Sequence, residues 1–289
     1  MTKPDGYPVP DRLTEIRARG ASTTQQATRW NLRTWQAMLP EHSELLEQLP
    51  NPIDREAVRA QASSLKDEAD AIRLFITAMV WGYGPIGYGP FRTARVLAEN
   101  SAAAATLLSV GQCVRTAGGP AAFGLLKKNR LRWLGVSFAT KYMYFCNEPS
   151  RNPALILDSL VQRWLSVNAD IRLRTDWRVD HYERYVRTVV HWAAQLSLEL
   201  GEVEFLMFDD ELHRGNDNTT RRADLRGFTI EPSTGAECQA VLDALDEAVD
   251  AFAAMMDGAE GHDHEDFDRG IRQLRRIVVA RAAQAGSPC

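Results

Sequence analysis

The chain has 289 residues and only four cysteines, Cys113, Cys146, Cys238 and Cys289, none of them in a C-x-x-C pair. That scatter excludes a disulfide scaffold and an all-cysteine zinc or iron–sulfur site, and it points to reduced thiols in the cytoplasm. No run of about 18 apolar residues occurs, so no membrane-spanning helix is expected. The opening MTKPDGYPVPDRL lacks the apolar stretch of a secretory leader. The glycine-rich residues 81–92 are not followed by G-K-S/T, which excludes a phosphate-binding P-loop there, and no G-x-S-x-G elbow appears. Hydrophobic residues at 45% and charged residues at 25% are the ordinary values of a folded protein, which excludes wholesale disorder.

The net charge of −4 does not by itself suggest nucleic acid, but the charges are segregated. Residues 127–187 hold twelve Lys/Arg against six acids, a local excess of +6. Residues 237–268 hold eleven acids and no Lys or Arg. This reads as a basic working face and an acidic appendage, with mixed solvated helix faces as the plain alternative.

The apolar period is helical almost throughout. Residues 11–20 predict a loop or short helix. Residues 26–49 predict two helical pieces divided at Pro40. A long helical stretch follows over 54–80, with a possible break near Ser63. The segment WGYGPIGYGPFR carries four glycines and two prolines. Helices are predicted over 93–104, 119–128, 157–165, 181–200 and 203–213, and a glycine hairpin followed by a helix over 131–145. Gly, Asn and Asp predict a loop at 215–218, and 219–231 is the only extended candidate. Two acidic helices, about 236–257 and 264–284, are expected to pack beside the core. The chain is therefore expected to be all-α, with an N-terminal helical segment (1–60), a core (61–215) and a C-terminal acidic helical extension (216–289).

Chemistry concentrates in LRWLGVSFATKYMYFCNEPSRNPALILDSLVQRWL, residues 131–165. Lys141 falls in the first turns of a helix among Phe138, Tyr142, Tyr144 and Phe145. An amine in aromatic surroundings can be tuned to act as a nucleophile. Asp158 immediately precedes the apolar run Leu160, Val161, Trp164, Leu165, which is a helix N-cap position. The plain readings are a snorkelling lysine and a capping aspartate. Read together, the two can attack an anomeric carbon, the lysine as nucleophile and the aspartate stabilising developing positive charge. In the glycine-rich loop, Trp81, Tyr83, Tyr88 and Phe91 are candidates to stack on an extruded base, or else to fill the core. His262, Asp263, His264, Glu265 and Asp266 read as a solvated helix start rather than a metal site, because histidines two apart do not share a helical face. His181 and His191 read as packing residues.

The succession of Gly135, Lys141 and Asp158, with FATKYMYF around the lysine and ALILDSLVQRWL around the aspartate, resembles the helix–hairpin–helix DNA glycosylases, in their 8-oxoguanine glycosylase branch. Weaker likeness extends to residues 77–97 and 203–208, so that the resemblance covers roughly residues 60–213. It implies an all-α helix–hairpin–helix glycosylase fold, double-stranded DNA carrying a modified base as partner, and no cofactor. It makes Lys141 and Asp158 the catalytic pair. It assigns backbone–phosphate contact to Gly135 and Ser137, with Lys127, Lys128 and Arg132 on the DNA face. Here Ser137 stands in place of the usual second hairpin glycine. The branch also includes bacterial anti-phage glycosylases. The reading is an enzyme, acting as a monomer, that excises a bulky modified base of phage DNA, such as glucosylated 5-hydroxymethylcytosine. The alternatives are 8-oxoguanine repair with AP-lyase activity, and a non-catalytic DNA-binding or helical interaction protein.

Overall fold

The computed structural model describes residues 7–62, 65–85, 88–147, 153–174 and 177–224. Among them the regular elements are helices: α1 (Asp11–Ala18), α2 (Leu32–Met38), α3 (Ser43–Gln48), α4 (Arg55–Ala62), α5 (Glu68–Tyr83), α6 (Tyr88–Ala98), α7 (Ala103–Ala117), α8 (Gly119–Lys128), α9 (Val136–Phe145), α10 (Ser159–Asn168), α11 (Val179–Leu196) and α12 (Leu200–Asp224). A 3-10 turn, Pro40–His42, separates α2 from α3 at the proline that predicts the break. An isolated antiparallel bridge joins Thr28 to Ile53. Met1–Asp217 form one compact unit; of the second, Asn218–Cys289, only residues 218–224 are among those described. The acidic helices expected over 236–257 and 264–284, and the His262–Asp266 cluster, lie outside the described residues.

α5 is the helix around which the others gather. From Leu74 to Trp81 every residue but Thr77 is apolar, the pattern of a helix enclosed by protein, and Leu74, Phe75, Ile76, Ala78, Met79 and Val80 are all buried. Asp67 starts it by accepting the Asp70 N–H at 2.8 Å. Gly84 ends it at φ 53°, a left-handed conformation that glycine adopts without strain. α4, α7 and α9 pack against α5. The N-terminal segment contributes Trp35, Leu46, Ile53 and Val58 to the same buried cluster as Phe75 and Trp164.

The structure differs from the sequence reading at three places. The 93–104 prediction stops where α7 begins. The rest of α7 is not predicted, and Gly111 lies mid-helix in it, where an added Cβ would stand 2.5 Å from Leu65 Cδ2 and 3.3 Å from the Tyr142 hydroxyl. The glycine serves close helix approach. α12 runs on through 215–218 and through 219–224, where a loop and an extended piece are predicted. Arg214, ion-paired one turn back with Asp210 and Glu211, supports the helix up to that point. The third difference is the hairpin between α8 and α9. Gly135 is extended (φ −81°, ψ 165°), and the left-handed residue is Trp133 at φ 70°. A tryptophan holds that uncommon conformation because α6 grips it. Arg92 Nε donates to its carbonyl at 2.7 Å, its indole N–H donates to Glu99 at 2.6 Å, and the Arg95 guanidinium lies 3.7 Å from its ring centroid.

Candidate active site

The irregular strap 153–158 leads into α10, and it delivers Asp158. As the sequence predicts, Asp158 is the N-cap of α10: its Oδ1 accepts the N–H groups of Leu160 and Val161, both at 3.1 Å. The second oxygen, Oδ2, faces α9 and accepts from Lys141 Nζ at 3.2 Å. Lys141 sits in the second turn of α9, its ammonium 5.3 Å from the Phe138 ring centroid. Both side chains are only about one-tenth exposed, 12% and 11%, so little solvent screens the pair.

The pair forms one wall of a cavity of about 200 Å³ whose other lining residues are Gln25, Arg55, Trp81, Gly82, Ile156, Glu204 and Phe208. Gly82 lies in the last turn of α5, against the lysine stem. A Cβ there would stand 2.9 Å from Lys141 Cδ. Gly82→Ala is therefore expected to displace the amine. A displacement of about 1 Å costs up to roughly a hundredfold in rate, so a tenfold or greater loss of single-turnover rate is expected. Alanine is the better helix former by about 1 kcal/mol, so a thermal melt should show no loss of stability.

A second ion pair stands across the cavity. Glu204 is buried, and Arg55 donates to its Oε2 from both terminal nitrogens at 3.0 Å. Burial pushes the Glu204 carboxyl up from its ordinary pKa, the Arg55 charge opposes that, and the Asp158 charge adds to the rise. Burial works to lower the Arg55 pKa, but the Glu204 charge and the hydrogen bonds to Glu204 and Tyr144 work against it, and the net direction is up. The Arg55 guanidinium also lies over the rings of Tyr144, Trp81 and Phe205, 5.0, 5.3 and 5.7 Å from their centroids. Truncating one partner of a buried pair leaves the other charge uncompensated, at roughly 3–5 kcal/mol. Arg55→Leu is expected to lose stability on that scale in urea unfolding.

The sequence candidates separate. Lys141, Asp158 and Trp81 meet at the cavity. Tyr83 is buried beside it, stacked on Phe138 with centroids 3.8 Å apart and planes at 15°. Tyr88 opens α6, and its side chain is outside the described residues. Phe91 is exposed on α6, next to Arg95. The loop of residues 81–90 is thus largely helical, which is why its aromatics part. Gly135 and Ser137 form the start of α9, which has no side-chain cap. Lys127 and Lys128 are exposed in the last turn of α8, and exposed Arg132 has its N–H held by Asn100 Oδ1 at 2.8 Å. Among the described residues no group of three or more His, Cys, Asp or Glu is placed to hold a metal ion, and no helix is long and apolar enough to cross a membrane.

The family model described as "Putative 8-oxoguanine DNA glycosylase OGG-like protein" matches residues 21–208, more than half of the chain. The chain belongs to this OGG-like family. No curated protein matches, and no solved structure matches. The OGG-like match begins some forty residues before the segment in which the sequence resemblance is visible. It thereby takes in Gln25 and Arg55, which reach the cavity from the N-terminal segment. Those two residues and Glu204 are the site residues that sequence reasoning missed. Arg55 and Glu204 are 149 positions apart, so nothing local pairs them. One signal was available: a glutamate inside the apolar run VEFLMF on a face that buries Val203, Leu206 and Met207.

Proposed function

We propose that this member of a DNA glycosylase family excises a modified base with Lys141 as nucleophile and Asp158 as its partner, and goes on to act as an AP lyase. The observation that carries the reading is the 3.2 Å approach of Lys141 Nζ to Asp158 Oδ2 on the wall of a base-sized cavity. A glycosylase must take the nucleotide out of the stack, at a few kcal/mol, before it can reach C1′. The ammonium must first lose a proton, and Asp158 is placed to accept it. The freed amine attacks C1′, the N-glycosidic bond breaks, and the base leaves with its electron pair and takes up a proton. The ring C1′–O4′ bond then opens with its electron pair going to O4′, which takes up the last proton shed by the nitrogen, giving an imine between Lys141 and C1′. As the base leaves, Asp158 hands on to it the proton taken from the ammonium, and the carboxylate so restored stabilises the positive charge growing on the sugar.

The substrate reading turns on Glu204. A carboxylate is an acceptor only, and it suits a base edge with adjacent N–H donors. The Watson–Crick edge of an oxidised guanine, with its N1–H and amino group, is such an edge. A cytosine edge offers one amino group beside bare acceptors. Oxidised guanine is therefore the first reading. Excision of glucosylated 5-hydroxymethylcytosine from phage DNA, in antiviral defence, is the second, and rests on the departure at Ser137 from the family hairpin. Mass spectrometry of bases released from oxidised duplex DNA and from glucosylated phage DNA tests both. Free 8-oxoguanine is expected from the first substrate. A free glucosylated base with no 8-oxoguanine reverses the order, and release of neither removes the enzyme reading.

The DNA face is proposed to run from Lys127, Lys128 and Arg132 to the uncapped start of α9, whose backbone N–H groups suit a phosphate. Lys127→Ala and Arg132→Ala are each expected to weaken binding to all duplexes alike. Each should reduce the slope of log K against log salt by about one. Fluorescence anisotropy over a salt series measures both.

A further inference from the structure

The strap 153–158 has no helix or sheet partner for its backbone, yet it is buried from Pro153 to Asp158. Buried backbone groups need partners, and neutral side chains supply them one at a time. Asn147 brackets Ala154, accepting its N–H at 2.8 Å and donating to its carbonyl at 2.7 Å. The Tyr182 hydroxyl does the same for Leu155, at 3.0 and 2.8 Å. Tyr185 donates to the Ile156 carbonyl at 2.8 Å. The last of these contacts differs in kind. Leu157 N–H donates to Thr140 Oγ1 at 3.0 Å, so the residue before Asp158 is bonded to the residue before Lys141. Thr140 is fully buried, and its hydroxyl donates in turn to the Ser137 carbonyl of its own helix at 3.2 Å.

We infer that Thr140 is a positioning residue which sets the gap between the two catalytic side chains, by fixing the register of the strap against α9. This rests on the Lys141–Asp158 reading of the site. The geometry explains why a hydroxyl is required. Lys141 is carried by a rigid helix, but Asp158 hangs at the end of an irregular segment. Asn147, Tyr182 and Tyr185 fasten that segment further from Asp158, and the two tyrosines fasten it to α11. Among these backbone contacts, only those of Thr140 tie the strap to the helix that carries the amine, one residue from each reacting group. The bond involves no charge, so the register it sets does not vary with salt or with pH over the working range.

The test compares Thr140→Val, which keeps the shape and removes the acceptor, with Thr140→Ser, which keeps the acceptor. Amide hydrogen exchange gives a readout that needs no activity. Leu157 N–H reports the strap bond, while Leu160 and Val161 N–H report Asp158 Oδ1. In Thr140→Val, exchange at all three is expected to quicken at least tenfold, and in Thr140→Ser to stay within about threefold of wild type. Single-turnover excision is expected to fall tenfold to a hundredfold in Thr140→Val with duplex affinity unchanged, and to be near wild type in Thr140→Ser. Should the valine variant not fold, Thr140→Ala takes its place with the same expectations. Faster exchange at Leu157 alone would show that Asp158 has not moved, and would overturn the inference. A serine variant as slow as valine would do the same, by assigning the effect to the lost methyl. If wild type excises nothing while the three amides respond together, the catalytic reading fails and the positioning of Asp158 by Thr140 stands.

Discussion

Lys141→Gln is expected to abolish the covalent adduct that borohydride traps between wild-type protein and duplex containing the substrate base. Reduction fixes the imine between Nζ and C1′, and glutamine has no amine to form it. The variant tests chemistry more than folding. Glutamine is shorter by about one bond, remains polar, and replaces a side chain whose stem rests in the notch left by Gly82. Asp158 keeps its two backbone donors, so the cap of α10 survives. Excision itself is expected to fall by at least about a thousandfold, since removal of a nucleophile from a cooperating set forfeits most of what the set achieves together. The checks are band-shifted adduct on a denaturing gel and single-turnover base release. Loss of the adduct with excision retained would make water the nucleophile and the enzyme monofunctional. An adduct that persists would place the amine elsewhere, with no other lysine among the residues lining the cavity.

The sequence shows the catalytic pair because each member has a local signature. Asp158 stands where helical periodicity resumes at Leu160, Val161 and Trp164, and an aspartate there has an intrinsic reason to cap. Lys141 interrupts an aromatic helix. What surrounds them is not local. Arg55 and Glu204 meet only because α4 and α12 converge on the cavity, and the glutamate alone, set in an apolar run, betrays a buried charge in need of a partner. The hairpin is another case. Gly135 is expected in its tight turn, and glycine is the residue that takes a left-handed conformation without strain. The strain is borne two residues earlier by Trp133, under contacts with Arg92, Arg95 and Glu99 that no local pattern reveals. Gly111 also shows tertiary contact at work, since a helix breaker by propensity is a packing residue once Leu65 and Tyr142 press on it. Propensity is a weak prior, and tertiary contacts override it at these positions.

Asp158→Asn is expected to separate the two tasks of one carboxylate. Oδ1 holds the start of α10, and Oδ2 faces the amine. Asparagine is almost the same shape and caps helices about as well as aspartate, so the Leu160 and Val161 N–H groups keep an acceptor. Both this replacement and alanine leave the Lys141 charge without its partner, but asparagine should spare the roughly 1 kcal/mol typical of losing a cap altogether. Asp158→Ala, which removes the cap as well, should lose that full amount. The charge, by contrast, has no substitute. A neutral amide cannot take the proton that Lys141 must shed, and it cannot stabilise cationic character at C1′. Loss of a positioned base alone typically costs about 10²–10⁴ in rate, and the same magnitude is expected here. Duplex affinity should hold or rise, because a negative group near the phosphates has been neutralised. Single-turnover excision, urea unfolding and anisotropy on Asp158→Asn and Asp158→Ala check the division together. Equal excision by the two variants, at unequal stability, is the expected pattern. If asparagine excises at the wild-type rate, the carboxylate serves only as a cap, and proton transfer from Lys141 must pass to Glu204, the other carboxylate lining the cavity.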